Sequence, residues 1–263
     1  MIRLNGEIVE FGHFPDGTIL MKQKIPYDAH FCANIKWNFE NNEEIVALIY
    51  LTEHLRENGI ENIILTLPYI PNARQDRVKD NGDVFTLKYF ANIINYLNFD
   101  KVIVMDAHSN VSTALINRVS NYEPENYIKR VIQNCNPNML FFPDEGSRKR
   151  YSDIASMKYS FGVKQRDWET GKILGLDIIG CEDEIKDSKI LIVDDICSRG
   201  GTFYHSAKKL KELGAKEVYL YITHCENTIL EGELLNSGLI EKVYTTDSIF
   251  TGKHEKITVM EAF

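Results

Sequence analysis

One segment in the second half of the chain constrains the fold most, because it changes character three times within fourteen residues. Residues 190–203 read Ile-Leu-Ile-Val-Asp-Asp-Ile-Cys-Ser-Arg-Gly-Gly-Thr-Phe. The apolar run predicts a buried strand, and Gly200 and Gly201 permit a turn with positive φ. The residues from Thr202 to Leu213 have helical spacing. A strand that turns directly into a helix is the building unit of a parallel sheet, so the segment predicts an α/β protein.

The same alternation of short apolar runs and helical periodicity recurs along most of the chain. It predicts strands at 62–67, 101–106, 139–143, 189–194, 217–223 and 242–246, and helices at 43–57, 85–97, 124–134, 202–213 and 229–236. The pattern occurs in two halves, 1–120 and 121–263, each with polar loops after its strands. We therefore expect two similar lobes, each a mainly parallel sheet flanked by helices, with ligands at the carboxyl ends of the strands.

The polar residues of the 190–203 segment have the chemistry of a site for a phosphorylated ribose. Asp194 and Asp195 follow the strand and can accept hydrogen bonds from ribose hydroxyls. The glycine turn presents backbone N–H groups, Thr202 adds a hydroxyl, and the start of a helix favours an anion. Ser198 and Arg199 complete the loop. The alternative is an ordinary strand-to-helix turn, where acids and glycines are common.

A second polar cluster follows the apolar run that ends at Leu67. Residues 67–77 read Leu-Pro-Tyr-Ile-Pro-Asn-Ala-Arg-Gln-Asp-Arg. Guanidinium groups bind phosphate oxygens in two-point contacts, so Arg74 and Arg77, with Gln75 between them, predict a polyphosphate site. The alternative is a surface turn whose arginines pair with nearby acids.

The string Pro-Tyr-x-x-x-Ala-Arg-Gln-Asp-Arg resembles that of the ribose-phosphate diphosphokinases, also called phosphoribosyl pyrophosphate synthetases. The resemblance continues in order along most of the chain. Further segments that resemble family elements are the hairpin Phe14-Pro-Asp-Gly17, Asp106-Ala-His108, the loop Pro143-Asp-Glu-Gly146, Lys164-Gln-Arg166, and the loop 193–202, which is also similar to the ribose-phosphate loop of type I phosphoribosyltransferases.

The resemblance implies two phosphoribosyltransferase-like lobes, with ATP bound by residues 1–120 and the ribose phosphate by 121–263. It implies a Mg²⁺-dependent transfer of the diphosphoryl group of ATP to the anomeric hydroxyl of ribose 5-phosphate, which yields 5-phosphoribosyl diphosphate and AMP. The implied partners are thus ATP, a substrate that contains ribose 5-phosphate, and further copies of the chain in a homo-oligomer.

The resemblance also assigns roles to individual residues. It implies Lys164 and Arg166 as catalytic; Arg74, Gln75, Arg77, Phe14 and Asp16 as ATP-binding; Asp194, Asp195, Ser198, Arg199, Gly200, Gly201 and Thr202 as ribose-phosphate-binding; and His108 and Asp144 as Mg²⁺ contacts. The segment with Lys164 and Arg166 reads as a hairpin or flap, for which composition alone favours a solvated charged hairpin. No residue stands out as a general base.

Several positions depart from the family pattern. The family commonly has Asp-Thr-Gly-Gly-Thr where this chain has Ser198-Arg-Gly-Gly-Thr202, a gain of two units of positive charge. That change suits an acceptor with more phosphate, such as ADP-ribose, which some relatives that rebuild NAD diphosphorylate. Thr18 replaces a glutamate of the hairpin, and Ser147 replaces a glycine. A phosphoribosyltransferase and a non-catalytic regulatory homologue remain alternatives.

Composition limits the other function classes. The net charge of −8 argues against nucleic acid and anionic membranes as partners. The five cysteines are scattered without a Cys-x-x-Cys pair, so neither a disulfide framework nor a zinc site is predicted. No run approaches the ~18 apolar residues of a membrane span, and the start lacks a secretion signal. We expect a cytoplasmic protein.

Overall fold

The computed structural model describes residues 1–25, 32–166 and 173–263. The described chain divides into two compact units, one formed by Met1–Glu123 with Phe263 and the other by Pro124–Ala262. No helix in these described ranges is both long enough and apolar enough to cross a membrane.

The first unit contains a six-stranded sheet in the order β2-β1-β5-β6-β7-β8 and a separate hairpin of β3 and β4. Its elements are β1 (Ile2–Leu4), β2 (Glu7–Ile8), β3 (Phe11–His13), β4 (Ile19–Met21), β5 (Ala33–Trp37), α1 (Glu43–Glu57), β6 (Ile63–Leu67), α2 (Thr86–Tyr96), β7 (Lys101–Met105), α3 (Asn110–Leu115) and β8 (Val119–Tyr122). Strands β5 to β8 are parallel, whereas β1 is antiparallel to both β2 and β5.

Alternation of side chains decides which face of this sheet forms the core. In β5 the side chains of Ala33, Ile35 and Trp37 are buried, while Asn34 is exposed and Lys36 half-buried. Successive strand residues point to opposite faces, so apolar side chains must pack against only the face that carries Ala33, Ile35 and Trp37. Helix α1 contributes buried residues to the same core cluster.

The second unit contains a seven-stranded sheet in the order β11-β10-β9-β12-β13-β14-β15. Its elements are α4 (Glu125–Cys135), β9 (Met139–Phe142), α5 (Glu145–Tyr151), β10 (Tyr159–Arg166), β11 (Ile173–Gly180), β12 (Lys189–Cys197), α6 (Gly201–Glu212), β13 (Glu217–Cys225), β14 (Lys242–Thr246) and β15 (Ile257–Met260). All neighbouring strands are parallel except β11, which is antiparallel to β10.

The central strand β12 is buried on both faces. Ile190 and Ile192 belong to one apolar cluster, and Leu191 and Val193 belong to another on the opposite face. A strand that is buried on both faces needs apolar residues at consecutive positions. This explains why four apolar residues in a row precede the two acids.

The predicted α/β class and its two parallel-dominated sheets are confirmed. Every predicted strand is present, with ends shifted by at most three residues. The predicted helix at 229–236 is wrong, because two 3₁₀ helices, Asn227–Glu231 and Leu234–Asn236, occupy the region. Gly232 separates them with an extended backbone at φ −85° and ψ 170°. The elements that were not foreseen are the short helices α3 and α5 and the strands β1, β2, β5, β8 and β15.

Candidate active site

Three carboxylates gather at the carboxyl ends of two neighbouring strands in the second unit. Asp144 follows β9, and Asp194 and Asp195 lie near the end of β12. The two strands are parallel, with Ile192 opposite Phe141, so their carboxyl ends lie side by side. Parallel pairing therefore brings together residues that are fifty positions apart in the sequence.

Arg150 of α5 binds the second acid at two points. Its Nη1 donates to Asp195 Oδ2 at 3.0 Å, and its Nη2 lies 2.8 Å from Asp195 Oδ1. The same Nη2 is 3.7 Å from Asp194 Oδ1. The Asp195 side chain is 5% exposed and that of Asp194 is 13% exposed. Asp195 is thus tied to the protein, and Asp194 is the more accessible acid.

The electrostatic environment raises the pKa of Asp194 well above its usual range. Burial is the main cause, and the charges of Asp195 and Asp144 act in the same direction, whereas Arg150 opposes them. The site therefore holds more negative charge than one guanidinium balances. A cation or hydroxyl donors would relieve this repulsion.

Asp144 also begins α5. Its carboxylate accepts a hydrogen bond from the backbone N–H of Ser147 at 3.1 Å, while the Asp144 N–H donates to Ser147 Oγ at 3.3 Å, which completes a capping box. The serine that replaces the family's glycine is therefore a buried helical residue that orients Asp144.

One of the two glycines in the 198–202 loop has the positive φ that the sequence allows at both. Gly200 is left-handed, with φ 81°, and stands at the N-cap of α6. Gly201 is the first helical residue and does not have positive φ, so only Gly200 uses the conformational freedom that the two glycines allow. The turn lies between the end of β12 and the start of α6, whose first N–H groups have no partner within the helix.

Two glutamates that sequence analysis missed contact this loop. Ser198 Oγ donates to Glu226 Oε2 at 2.8 Å, and Arg199 Nη2 donates to Glu231 Oε2 at 2.9 Å. The predicted gain of positive charge is therefore offset by carboxylates from a later segment. The only signal in the sequence was a pair of acids, five residues apart, directly after an apolar strand.

In the first unit, the predicted phosphate-binding arginine Arg77 binds its own neighbour. Its Nε and Nη2 donate to the two oxygens of Asp76 at 2.7 and 3.0 Å. The Arg77 side chain is nevertheless 65% exposed, and that of Asp76 is 5% exposed. Gln75 Oε1 accepts from Thr86 Oγ1 at 2.8 Å. Arg74 lies in the same loop and is exposed.

Asp76 links this loop to the Asp106-Ala-His108 element. Its pKa is lowered chiefly by the hydrogen bond from Arg77, with contributions from Ser109 and from the charges of Arg77 and His108, against the effect of burial. Ser109 stands at the N-cap of α3. The structure therefore brings two separately predicted motifs together around one buried carboxylate.

The predicted hairpin is present, and its turn lies between β3 and β4. Phe14 N–H donates to Thr18 O at 2.9 Å, and Gly17 has a positive φ of 85°. Hydrogen bonds from the Thr18 hydroxyl and backbone N–H lower the pKa of Asp16. The Phe14 ring is 49% exposed beside an open groove of about 680 Å³.

The two predicted catalytic cations lie on β10, beyond the end of β9. Strand β9 pairs with β10 only as far as Phe161, after which β10 and β11 continue as a two-stranded ribbon that includes Lys164 opposite Leu176. The side chains of Lys164 and Arg166, and the rest of the predicted flap at 167–172, lie outside the described residues.

Known proteins are similar to this chain in sequence and in fold. No protein-family model matches the chain. The chain is 26% identical over 249 residues to the ribose-phosphate pyrophosphokinase of Thermococcus kodakarensis, covering 92% of this chain and 86% of the relative. It is 26% identical over 265 residues to that of Methanopyrus kandleri, covering 95% and 87%.

A solved structure shows the same fold. The phosphoribosylpyrophosphate synthetase of Mycobacterium smegmatis matches with a TM-score of 0.78 at 18% identity, over 97% of this chain and 86% of that one. The predicted resemblance to the ribose-phosphate diphosphokinases is confirmed, and so is the prediction that the chain is an enzyme. In its ordered motifs, its fold and its sequence, this chain is thus similar to the ribose-phosphate pyrophosphokinases along nearly its whole length.

Proposed function

We propose that the protein transfers the diphosphoryl group of ATP to the anomeric hydroxyl of a ribose 5-phosphate group and releases AMP. The observation that carries the proposal is the juxtaposition of two acids and a left-handed Gly200 turn at the start of α6. Such a turn offers backbone N–H groups to a phosphate while the acids accept hydrogen bonds from sugar hydroxyls.

The acceptor would lie along this turn. Its phosphate would accept hydrogen bonds from backbone N–H groups of Gly200, Gly201 and Thr202 and from the Thr202 hydroxyl. Its hydroxyls would donate to Asp194, while Arg150 holds Asp195 and thereby fixes the neighbouring backbone. Rigid placement of a weak nucleophile supplies much of the rate in phosphoryl-type transfer.

The nucleotide would bind to the first unit. Arg74, Gln75 and Arg77 suit the triphosphate, and Phe14 and Asp16 the adenosine. Arg77 is already oriented by Asp76, which reduces the entropy lost when it binds a phosphate. In the family that the chain resembles, this hairpin contacts adenine bound to a neighbouring subunit. The proposal therefore includes a homo-oligomer in which Phe14 and Asp16 reach the nucleotide of the next copy, and light scattering will test the oligomer.

The residues also fit Mg²⁺. Asp144 offers the hard oxygen that this ion prefers. The pKa of Asp194 is raised chiefly by burial and further by the charges of Asp195 and Asp144, which a cation would offset. No group of three or more His, Cys, Asp or Glu in the described ranges is placed to hold a metal by itself. Mg²⁺ would therefore depend on phosphate and water oxygens, with Asp144 and His108 as protein contacts. When bound, it would neutralise charge on the transferred phosphates.

Lys164 and Arg166 would stabilise the charge that develops on the diphosphoryl oxygens and on the leaving AMP. Their position on a ribbon beyond the main sheet supports this role, because such a ribbon can move without disturbing the core. The proposal includes no dedicated base, and the proton of the anomeric hydroxyl would pass to water.

A second acceptor, ADP-ribose, is supported by one observation. The Arg199 side chain is 71% exposed at the loop, where it can contact a second phosphate despite its bond to Glu231. The reaction would be the same transfer, to the free ribose of ADP-ribose.

The deciding experiment measures AMP release from Mg²⁺-ATP with ribose 5-phosphate in one reaction and ADP-ribose in another, with product masses from both. An Asp194→Asn variant serves as the control for contaminating activity. Release with ribose 5-phosphate supports the first proposal, and release with ADP-ribose alone supports the second. Absence of AMP in both reactions contradicts both and favours a regulatory homologue.

A further inference from the structure

Residues 226–234, which we call the backing segment, pack directly against the 198–202 loop. The Glu226 N–H donates to Cys197 O at 2.8 Å. Gly232 approaches so closely that a Cβ there would lie 1.9 Å from the Arg199 carbonyl oxygen. A Cβ on Gly200 would lie 3.1 Å from the Leu234 side chain. These contacts therefore limit the conformations that the loop can adopt.

The backing segment places two carboxylates on the loop at the positions that differ from the family pattern. Glu226 Oε2 accepts from Ser198 Oγ at 2.8 Å and from Thr228 Oγ1 at 3.3 Å. Glu231 Oε2 accepts from Arg199 Nη2 at 2.9 Å, in a pair whose side chains are 71% and 60% exposed. Solvent weakens such an exposed pair, so Arg199 is held loosely.

We propose that Glu226 and Glu231 determine acceptor specificity, by making the loop disfavour a phosphate with two negative charges relative to a phosphate with one. This inference rests on the acceptor-binding part of the proposed function. A terminal phosphate has a second pKa near 6, so it carries about −1.5 to −2 at neutral pH. Each phosphate of a diphosphate diester carries one charge.

Repulsion by a fixed carboxylate scales with the charge of the ligand, so it penalises the terminal phosphate more. The ligand class that fits is a ribose joined through its 5-oxygen to a diphosphate diester.

The test measures binding by calorimetry without ATP, so that no turnover occurs. The probes are ribose 5-phosphate and ADP-ribose, and the proteins are wild type, Glu226→Gln and Glu231→Gln. Glutamine keeps an oxygen that accepts the Ser198 hydrogen bond and removes only the charge. Glu212→Gln, an exposed residue at the far end of α6, makes the same change of net charge away from the loop.

We expect Glu226→Gln to tighten ribose 5-phosphate binding about three- to tenfold and to change ADP-ribose binding by about twofold or less. Glu231→Gln should shift the ratio of the two affinities in the same direction. It changes an exposed pair, so we expect no loss of folding. Glu212→Gln should leave the ratio unchanged.

Equal shifts for both ligands, no shift with either variant, or no binding of either ligand to any protein would overturn the inference. AMP release, assayed in parallel, separates the two claims. A shifted binding ratio without AMP release contradicts the proposed transfer and leaves the inference standing. AMP release with an unshifted ratio contradicts the inference alone.

Discussion

Arg150 and Asp195 form a two-point ion pair that does not extend to the adjacent acid, Asp194. The contacts of 3.0 and 2.8 Å occupy both carboxylate oxygens of Asp195, whereas Arg150 approaches Asp194 only to 3.7 Å. The sequence predicted equal roles for the acids in binding the ribose. The structure distinguishes them by their surroundings, because Asp195 is paired with Arg150 and Asp194 is the more exposed acid.

Arg150→Met should lower the free energy of unfolding by about 3 kcal/mol, because it leaves the carboxylate of Asp195 buried without its partner. Arg150→Lys keeps the charge but loses the two-point geometry, so its loss should be smaller. Urea denaturation measures both. Equal stability of wild type and Arg150→Met would show that Asp195 does not need the pair.

Asp194→Asn should raise the melting temperature at neutral pH. A carboxyl whose pKa is raised in the folded state binds protons more tightly there than when unfolded. The carboxyl of Asp194 therefore contributes its full stability at a pH below its pKa in the unfolded chain. This contribution is lost as the pH rises through its pKa in the folded protein. The difference in melting temperature between variant and wild type should therefore be largest above the folded pKa and shrink as the pH falls. Calorimetry from pH 8 downward gives the profile, and a difference that grows toward acid would contradict this account.

Gly232→Ala should disturb the 198–202 loop, because the new methyl group would overlap the Arg199 carbonyl. Overpacking of this kind costs about 1–3 kcal/mol and moves backbone. We expect weaker ribose 5-phosphate binding with ATP binding retained. The matched control for stability is Gly12→Ala, where a Cβ meets nothing within 4 Å. Unchanged acceptor binding in Gly232→Ala would show that the backing segment does not shape the loop.

Lys164→Ala should lower kcat about 10²- to 10³-fold and change KM little, because the proposed contact forms mainly in the transition state. Steady-state rates of AMP release give both constants. A raised KM at constant kcat would instead assign Lys164 to ground-state binding. Lys158→Ala provides a control, since that lysine precedes the same strand and pairs with Glu184 at the surface.

The sequence by itself determined the parts that depend on local pattern. An apolar run buried on both faces, a glycine that takes positive φ and helical spacing are properties of neighbouring residues, so β12, Gly200 and α6 could be predicted. The Arg-Gln-Asp-Arg string and the hairpin could likewise be identified from consecutive residues. They carried the resemblance that the fold and the relatives confirmed.

Only the tertiary structure decided which groups meet. Arg150 and Asp195 are 45 residues apart, Ser198 and Glu226 are 28 apart, and Arg199 and Glu231 are 32 apart. Periodicity predicted a helix at 229–236, but the close approach of Gly232 to Arg199 breaks the segment into two 3₁₀ helices. Such contacts depend on the register of distant strands and on the space between packed backbones. Neither the register nor that space is encoded in the spacing of neighbouring residues, so the carboxylates around the 198–202 loop became visible only in three dimensions.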